Sequence, residues 1–173
     1  MLPPVVTGYL LLILLAPNGA LGSLLESVGV RVAFSWWGAA VAAAVVSFPL
    51  MTRCIRSGIQ SVDKRLELTS RSLGKSRLTI LFTITFPLAL NGIVAGCILA
   101  FARSVGEFGA TIMLAGDIPG ETRTIPLAIY SLGQRVEGLS DSWRLVLFSI
   151  VLSMAAVVIG EFIQHRQVQR EAA

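Results

Sequence analysis

Four stretches of this sequence run without a single Asp, Glu, Lys or Arg: Met1 to Leu25, Phe34 to Thr52, Leu78 to Ala102 and Leu145 to Gly160. A helix needs roughly 20 mostly apolar residues to cross about 30 Å of hydrocarbon. The two middle stretches meet that length alone. The last meets it through Phe162 and Ile163 if Arg144 and Glu161 snorkel toward the two interfaces. The first is broken by Pro17-Asn18-Gly19, which leaves residues 2–16, about 15 and short of the roughly 20 required. It reads as the second half of a span. A cleaved signal peptide would need a basic N-terminal region, and no Lys or Arg precedes Arg31. The expectation is therefore one all-α transmembrane domain over residues 1–173, a polytopic helix bundle lacking part of its first span. The partial span is 2–16, and the full spans lie near 34–52, 84–104 and 145–163.

Charge supports the same class. Only 14% of the residues are charged, against about 25% in a soluble domain. The net charge of +4 does not imply nucleic acid, because the basic residues collect between apolar runs instead of covering one polar face. Arg53, Arg56, Lys64, Arg65, Arg71, Lys75 and Arg77 crowd one segment against Asp63 and Glu67, so 53–77 is expected in the cytoplasm. Alternation then puts 17–33 and most of 103–143 outside, and the C-terminal tail with Arg166 and Arg170 inside. Cys54 and Cys97 read as plain thiols and His165 as a solvated tail residue. No metal site, cofactor or catalytic constellation is expected. A membrane-embedded enzyme should bring polar residues together in adjacent spans, and these spans offer mainly Ser47, Thr83, Thr85, Asn91 and Ser153.

Small residues mark helix faces suited to close approach: Gly92 and Gly96 at G-x-x-x-G spacing, and Gly38 with Ala39, Ala40, Ala42, Ala43 and Ala44. Pro49 and Pro87 invite kinks. The segment from Arg53 to Arg77, about 25 residues, is long beside the usual connection of about 4–6 and carries helix signals. Ser61 is the expected N-cap, Asp63 sits in the first turn and Arg71 in the last, and Gly74 ends the helix. Val62, Leu66, Thr69 or Ser70, and Leu73 fall on one face. Such an amphipathic helix either docks in a groove of a soluble partner or rests on anionic lipid headgroups. The Gly74-Lys75-Ser76 triplet is not a P-loop, since the position five residues before Gly74 is Thr69 and no strand precedes it.

From Gly74, nine residues lead to Ile84, followed by Thr85, Phe86 and Pro87. This resembles the G-x9-I-x-L-P part of the cytoplasmic loop signature of ABC importer permeases, with Phe86 in place of the usual Leu. The Glu-Ala-Ala that ordinarily precedes it is replaced by Leu68, Thr69 and Ser70, with Glu67 one residue earlier. The resemblance implies a coupling helix of about Asp63 to Leu73 seated in a separate ATP-binding subunit. Leu66, Glu67, Leu73, Gly74 and Pro87 are the coupling residues it implies.

Downstream, the runs from Phe101 to Thr111 (FARSVGEFGAT) and from Gly116 to Tyr130 (GDIPGETRTIPLAIY), with Pro3 to Tyr9 (PPVVTGY), look like the molybdate branch of those permeases. The G-E-F-G-A core is shared with sulfate and thiosulfate permeases, the runner-up reading; a non-transporting membrane scaffold is the other. The molybdate resemblance implies a homodimer in the inner membrane, an extracytoplasmic binding protein that delivers molybdate or tungstate, and ATP hydrolysis in the partner subunit. Arg103 and Glu107, four residues apart, are expected to pair on one helix face near a membrane boundary, either structurally or as part of an anion path that also includes Thr111. Gly106, Gly109 and Gly116 loosen this stretch while Pro119 and Pro126 stiffen the loop beyond it. That loop, with Glu121 and Arg123, suits contact with the binding protein. Arg123 touches the anion, pairs with Glu121 or stays solvated.

Overall fold

A computed structural model describes residues 2–135 and 138–171, with side chains for all of these except 138–141, 161 and 163–171. The expectations for Glu161, Ile163, His165, Arg166 and Arg170 thus fall outside the described side chains. The described residues are helical and contain no strand: α1 (Pro4–Leu15), α2 (Gly22–Ser27), α3 (Trp36–Gln60), α4 (Lys64–Ser72), α5 (Arg77–Ile80), a π-helical turn (Leu81–Thr85), α6 (Phe86–Val105), α7 (Gly109–Ala115), α8 (Ile125–Gly133) and α9 (Gly138–Glu171). Among the described residues, three stretches are long and apolar enough to cross a membrane: Trp36–Gln60, Arg77–Val105 and Ser142–Gly160.

The chain divides into two compact units, one of Met1–Ser47 with Ala102–Met154 and one of Phe48–Phe101 with Ala155–Ala173. In the first unit α1 opens with a proline at its N-terminus, where the missing N–H costs nothing, and stops at Ala16, which Pro17 holds extended at ψ 156°. Its 12 residues span only about 18 Å. The helix packs on α7: a Cβ added to Gly8 would lie 2.7 Å from the Ala110 Cα, so the two backbones touch. Ala42, Ala110 and Leu114 form the fully buried centre, flanked by Leu11, Leu12, Leu15, Val41 and Val46. Residues 109–115, expected as part of a loosened external stretch, are instead the most enclosed helix of this unit. Glycine here serves close packing; Gly109 lies against Pro4 and Val5. Phe34, at φ 54°, donates its N–H to the Leu114 carbonyl at 2.9 Å and lays its ring over Gly116.

In the second unit the glycines of α6 receive the C-terminal half of α3. A Cβ on Gly92 would sit 2.5 Å from the Gly58 Cα, and one on Gly96 would sit 3.0 Å from the Met51 carbonyl. Gly58 therefore completes the G-x-x-x-G face. Helix α3 continues eight residues beyond Thr52, so the basic segment starts on a helix and not in a loop. Arg77–Val105 is a continuous helical stretch of 29 residues, beginning well before the expected start near 84. Its π turn, where the Phe86 N–H reaches back five residues to the Leu81 carbonyl, ends two residues before Pro87, which has no N–H to give.

Candidate functional site

Helix α4 is held mainly by its two ends. The N-cap is Asp63, whose carboxylate accepts from the Arg65 N–H at 2.9 Å. Ser61, the expected cap, instead donates to the Gly58 carbonyl at 2.7 Å and closes α3, because the chain turns between the two helices. At the other end the Lys75 N–H bonds to the Ser70 carbonyl at 3.2 Å and the Gly74 N–H to the Arg71 carbonyl at 2.9 Å, a Schellman closure. It needs Gly74 at φ +79°, and no atom lies within 4 Å of a Cβ placed there. Ser76 then caps α5 by accepting from the Thr79 N–H at 3.2 Å.

The inner face of α4 is small and polar. Ser70 is buried, and Glu67 accepts a 2.7 Å hydrogen bond from the hydroxyl of Thr85, itself only 5% exposed in the π turn. The outer residues are open: Leu66 is 47% exposed, Leu68 62% and Leu73 75%. Between α4 and α5 runs a groove of about 490 Å³ with Lys64, Arg71 and Arg77 among its cations and Leu68, Leu78 and Leu81 on its apolar side. Of the coupling residues named from sequence, Leu66, Leu73 and Gly74 are on the exposed surface. Glu67 points inward and Pro87 lies in the first turn of α6.

A second cluster joins α6 to α7. Arg103 Nη1 lies 2.8 Å from Glu107 Oε2; the arginine side chain is 37% exposed and the glutamate 1%. The pair does not share one helix, since α6 ends at Val105. Glu107 sits in the break, and its Oε1 accepts from the Ala110 N–H at 2.8 Å, so one carboxylate binds the last turn of α6 to the first of α7. Thr111 is enclosed in the first unit, and Ser104 and Ser47 meet at 3.0 Å.

The third cluster organises residues 116–131. Arg123 grips Asp117 through Nε at 2.7 Å and Nη2 at 3.2 Å, and Ser131 donates its hydroxyl to the same carboxylate. Arg123 is therefore neither solvated nor paired with Glu121, which is exposed. The reason is a tight turn: the N–H groups of Glu121, Thr122 and Arg123 all converge on the Ile118 carbonyl, and Gly120 takes φ +81°. Thr122 closes the turn, accepting from the Ile118 N–H at 3.0 Å. Arg123 first, then Ser131, holds the Asp117 carboxyl below the ordinary range, against the smaller opposing effect of burial. Asp117 was not anticipated. Its only sequence signal is a position six residues before an arginine, across Pro119-Gly120. Among the described residues, no three His, Cys, Asp or Glu side chains are grouped to hold a metal ion.

The family described as "Binding-protein-dependent transport system inner membrane component" matches residues 1–172. The chain is 51% identical over 173 residues to the Molybdenum transport system permease protein ModB of Escherichia coli strain K12, covering 99% of this chain and 75% of that protein. It is 47% identical to ModB of Haemophilus influenzae, over 95% of this chain and 72% of the relative. It is 37% identical to the putative molybdenum transport system permease protein YvgM of Bacillus subtilis, over 96% and 72%.

Proposed function

We propose a function from one premise: the chain belongs to the family of binding-protein-dependent transport system inner membrane components, and is a multi-pass, all-helical membrane protein of that transport class. It is the permease subunit of an ATP-driven importer of molybdate or the isosteric tungstate. The observation that carries the substrate is the 51% identity to a molybdenum transport permease across 99% of this chain. The residues expected to name the substrate, Pro119 to Tyr130, include Arg123 and Ser131's neighbour Tyr130, and the clasp on Asp117 gives that run a defined shape.

In this reading the charge bias puts α4 in the cytoplasm, the turn at 116–124 outside and the C-terminus inside. A separate ATP-binding subunit docks on Leu66, Leu73 and the Gly74 turn, and hydrolyses the ATP. The binding protein meets the external turn at Glu121; Arg123 shapes the turn from within. Arg103 lends positive potential to the anion path, and Glu107 fixes its guanidinium where a lone charge would be costly. Two copies form the working unit, as the resemblance to this permease class implies, with lipid against the exposed apolar faces. Import is then rocking of packed helices and requires no chemistry in this chain.

Uptake tests the substrate. Expressed with its ATP-binding subunit and binding protein in cells lacking their own importer, the permease should restore molybdate uptake, with excess sulfate competing poorly. Sulfate uptake without molybdate uptake would refute the substrate and leave the permease standing. A reporter fused after Ser76 should be cytoplasmic and one after Gly120 external; labelling of a cysteine at position 65 from outside intact cells overturns the orientation.

A further inference from the structure

Glu67 and Thr85 are 18 residues apart, and their side chains meet at 2.7 Å at the point where the cytoplasmic helix α4 lies beside the π turn of the long helix. We propose that this bond is a latch that makes α4 and the base of the spanning helix move as one body through the transport cycle, with Glu67 and Thr85 as positioning residues. The inference rests on the coupling role of α4 given above and adds how its displacement reaches the membrane.

Three observations carry it. First, Glu67 stands half-buried at the groove while its neighbours Leu66 and Leu68 are exposed, and one of its carboxylate oxygens is already engaged by Thr85 within this chain. Second, Thr85 is 5% exposed, and an enclosed hydroxyl that bonds a carboxylate makes a short, charge-assisted contact that is costly to leave unpaired. Third, the chain itself joins α4 to the next span through a short backbone turn, closed at Gly74 and capped at Ser76. The Gly74 turn has open space around it, and the groove between α4 and α5 leaves Leu68 and Leu78 uncovered. A lever transmits motion only as well as its joint resists bending, and a side-chain bond across the joint adds to what the backbone turn supplies. The π turn presents Thr85 to α4 at the start of a stretch that α6 continues to Val105.

The test uses the whole complex in vesicles, reading molybdate imported per ATP hydrolysed. Thr85→Val keeps the shape and removes the donor; Thr85→Ser keeps the donor. Thr85→Val should lower the ratio by about tenfold, the equilibrium equivalent of one charge-assisted hydrogen bond, and Thr85→Ser should restore most of it. An unchanged ratio in Thr85→Val, or an equal loss in Thr85→Ser, overturns the latch. Loss of molybdate import by the unsubstituted complex counts against the functional reading alone. In that case, or if Thr85→Val fails to assemble, the latch is read without substrate. With Cys54 and Cys97 replaced by Ser, Glu67→Cys and Thr85→Cys should join through oxidation or a short thiol-reactive bridge and leave nucleotide-driven ATPase stimulation intact. Failure to join, or arrest of stimulation on joining, overturns it.

Discussion

Helices α7 and α4 are both short, seven and nine residues, and they owe their existence to opposite causes. In α7, Ala110, Thr111, Leu114 and Ala115 are buried, the single cap is the buried Glu107 carboxylate on the Ala110 N–H, and the helix survives by packing against α1 and α3. Helix α4 has a carboxylate cap, a Schellman end and one inward bond, and most of its apolar surface is uncovered. Isolated helices this short are marginal in water. Burial outweighs a single carboxylate cap in α7, and local signals substitute for burial in α4. A helix built from its own ends keeps its shape while leaving a face free for another protein. One built by packing cannot be displaced without dismantling its unit.

The contrast predicts a graded set of responses. The largest belongs to the α1–α7 contact. Gly8→Leu forces a side chain into the 2.7 Å gap to the Ala110 backbone and should cost about 3 kcal/mol or more, seen as loss of folded permease in thermal unfolding in detergent. A stable Gly8→Leu chain would mean that α7 does not depend on α1. Next, Leu73→Glu should leave the chain's own unfolding within about 0.5 kcal/mol, because the site is 75% exposed, yet abolish stimulation of the partner ATPase by putting a charge into the docked surface. Gly74→Asp should act similarly with a small strain cost of about 1 kcal/mol from φ +79°. Normal stimulation in both would remove α4 as the coupling helix.

The smallest effect concerns acid. The folded pKa of Asp117 is lowered, so the clasp contributes its full stability above the unfolded value of about 3.9 and loses it as pH falls through the folded value. Proteolysis of the 116–124 turn should therefore accelerate only at low pH, and Asp117→Asn should make it fast at neutral pH, a change of about 1–2 kcal/mol. An unaltered acid profile in Asp117→Asn would show that the turn is held by its backbone alone.

How much of this was legible follows the same division. Features governed by residues close in sequence could be read: the apolar runs that became α3, α6 and α9, the helix stop at Gly74, and the packing face of Gly92 and Gly96. The register of a cap was harder, since Ser61 and Asp63 are both good caps and only the end of α3 decides between them. What depends on the chain returning to itself was not legible. Gly109 looked like a loosening residue because its partners Pro4 and Val5 are about a hundred positions away. Glu67 could not be paired with Thr85, nor Arg123 with Asp117 over Glu121, without the turns that bring them together.

The π turn at Leu81–Thr85 also takes up length. Each of its hydrogen bonds encloses one more residue than an α turn does, so the widened turn takes up one extra residue while the helices on either side keep nearly the same bearing. Removing a single residue between 81 and 85 would heal the backbone into a regular helix and improve its local hydrogen bonding. The same deletion would erase the bulge from which Thr85 reaches toward α4, while α4 and its exposed leucines stay close to where they are. A change that stabilises the helix taken alone would undo the contact it supports, so length in this stretch should tolerate alteration less than composition does.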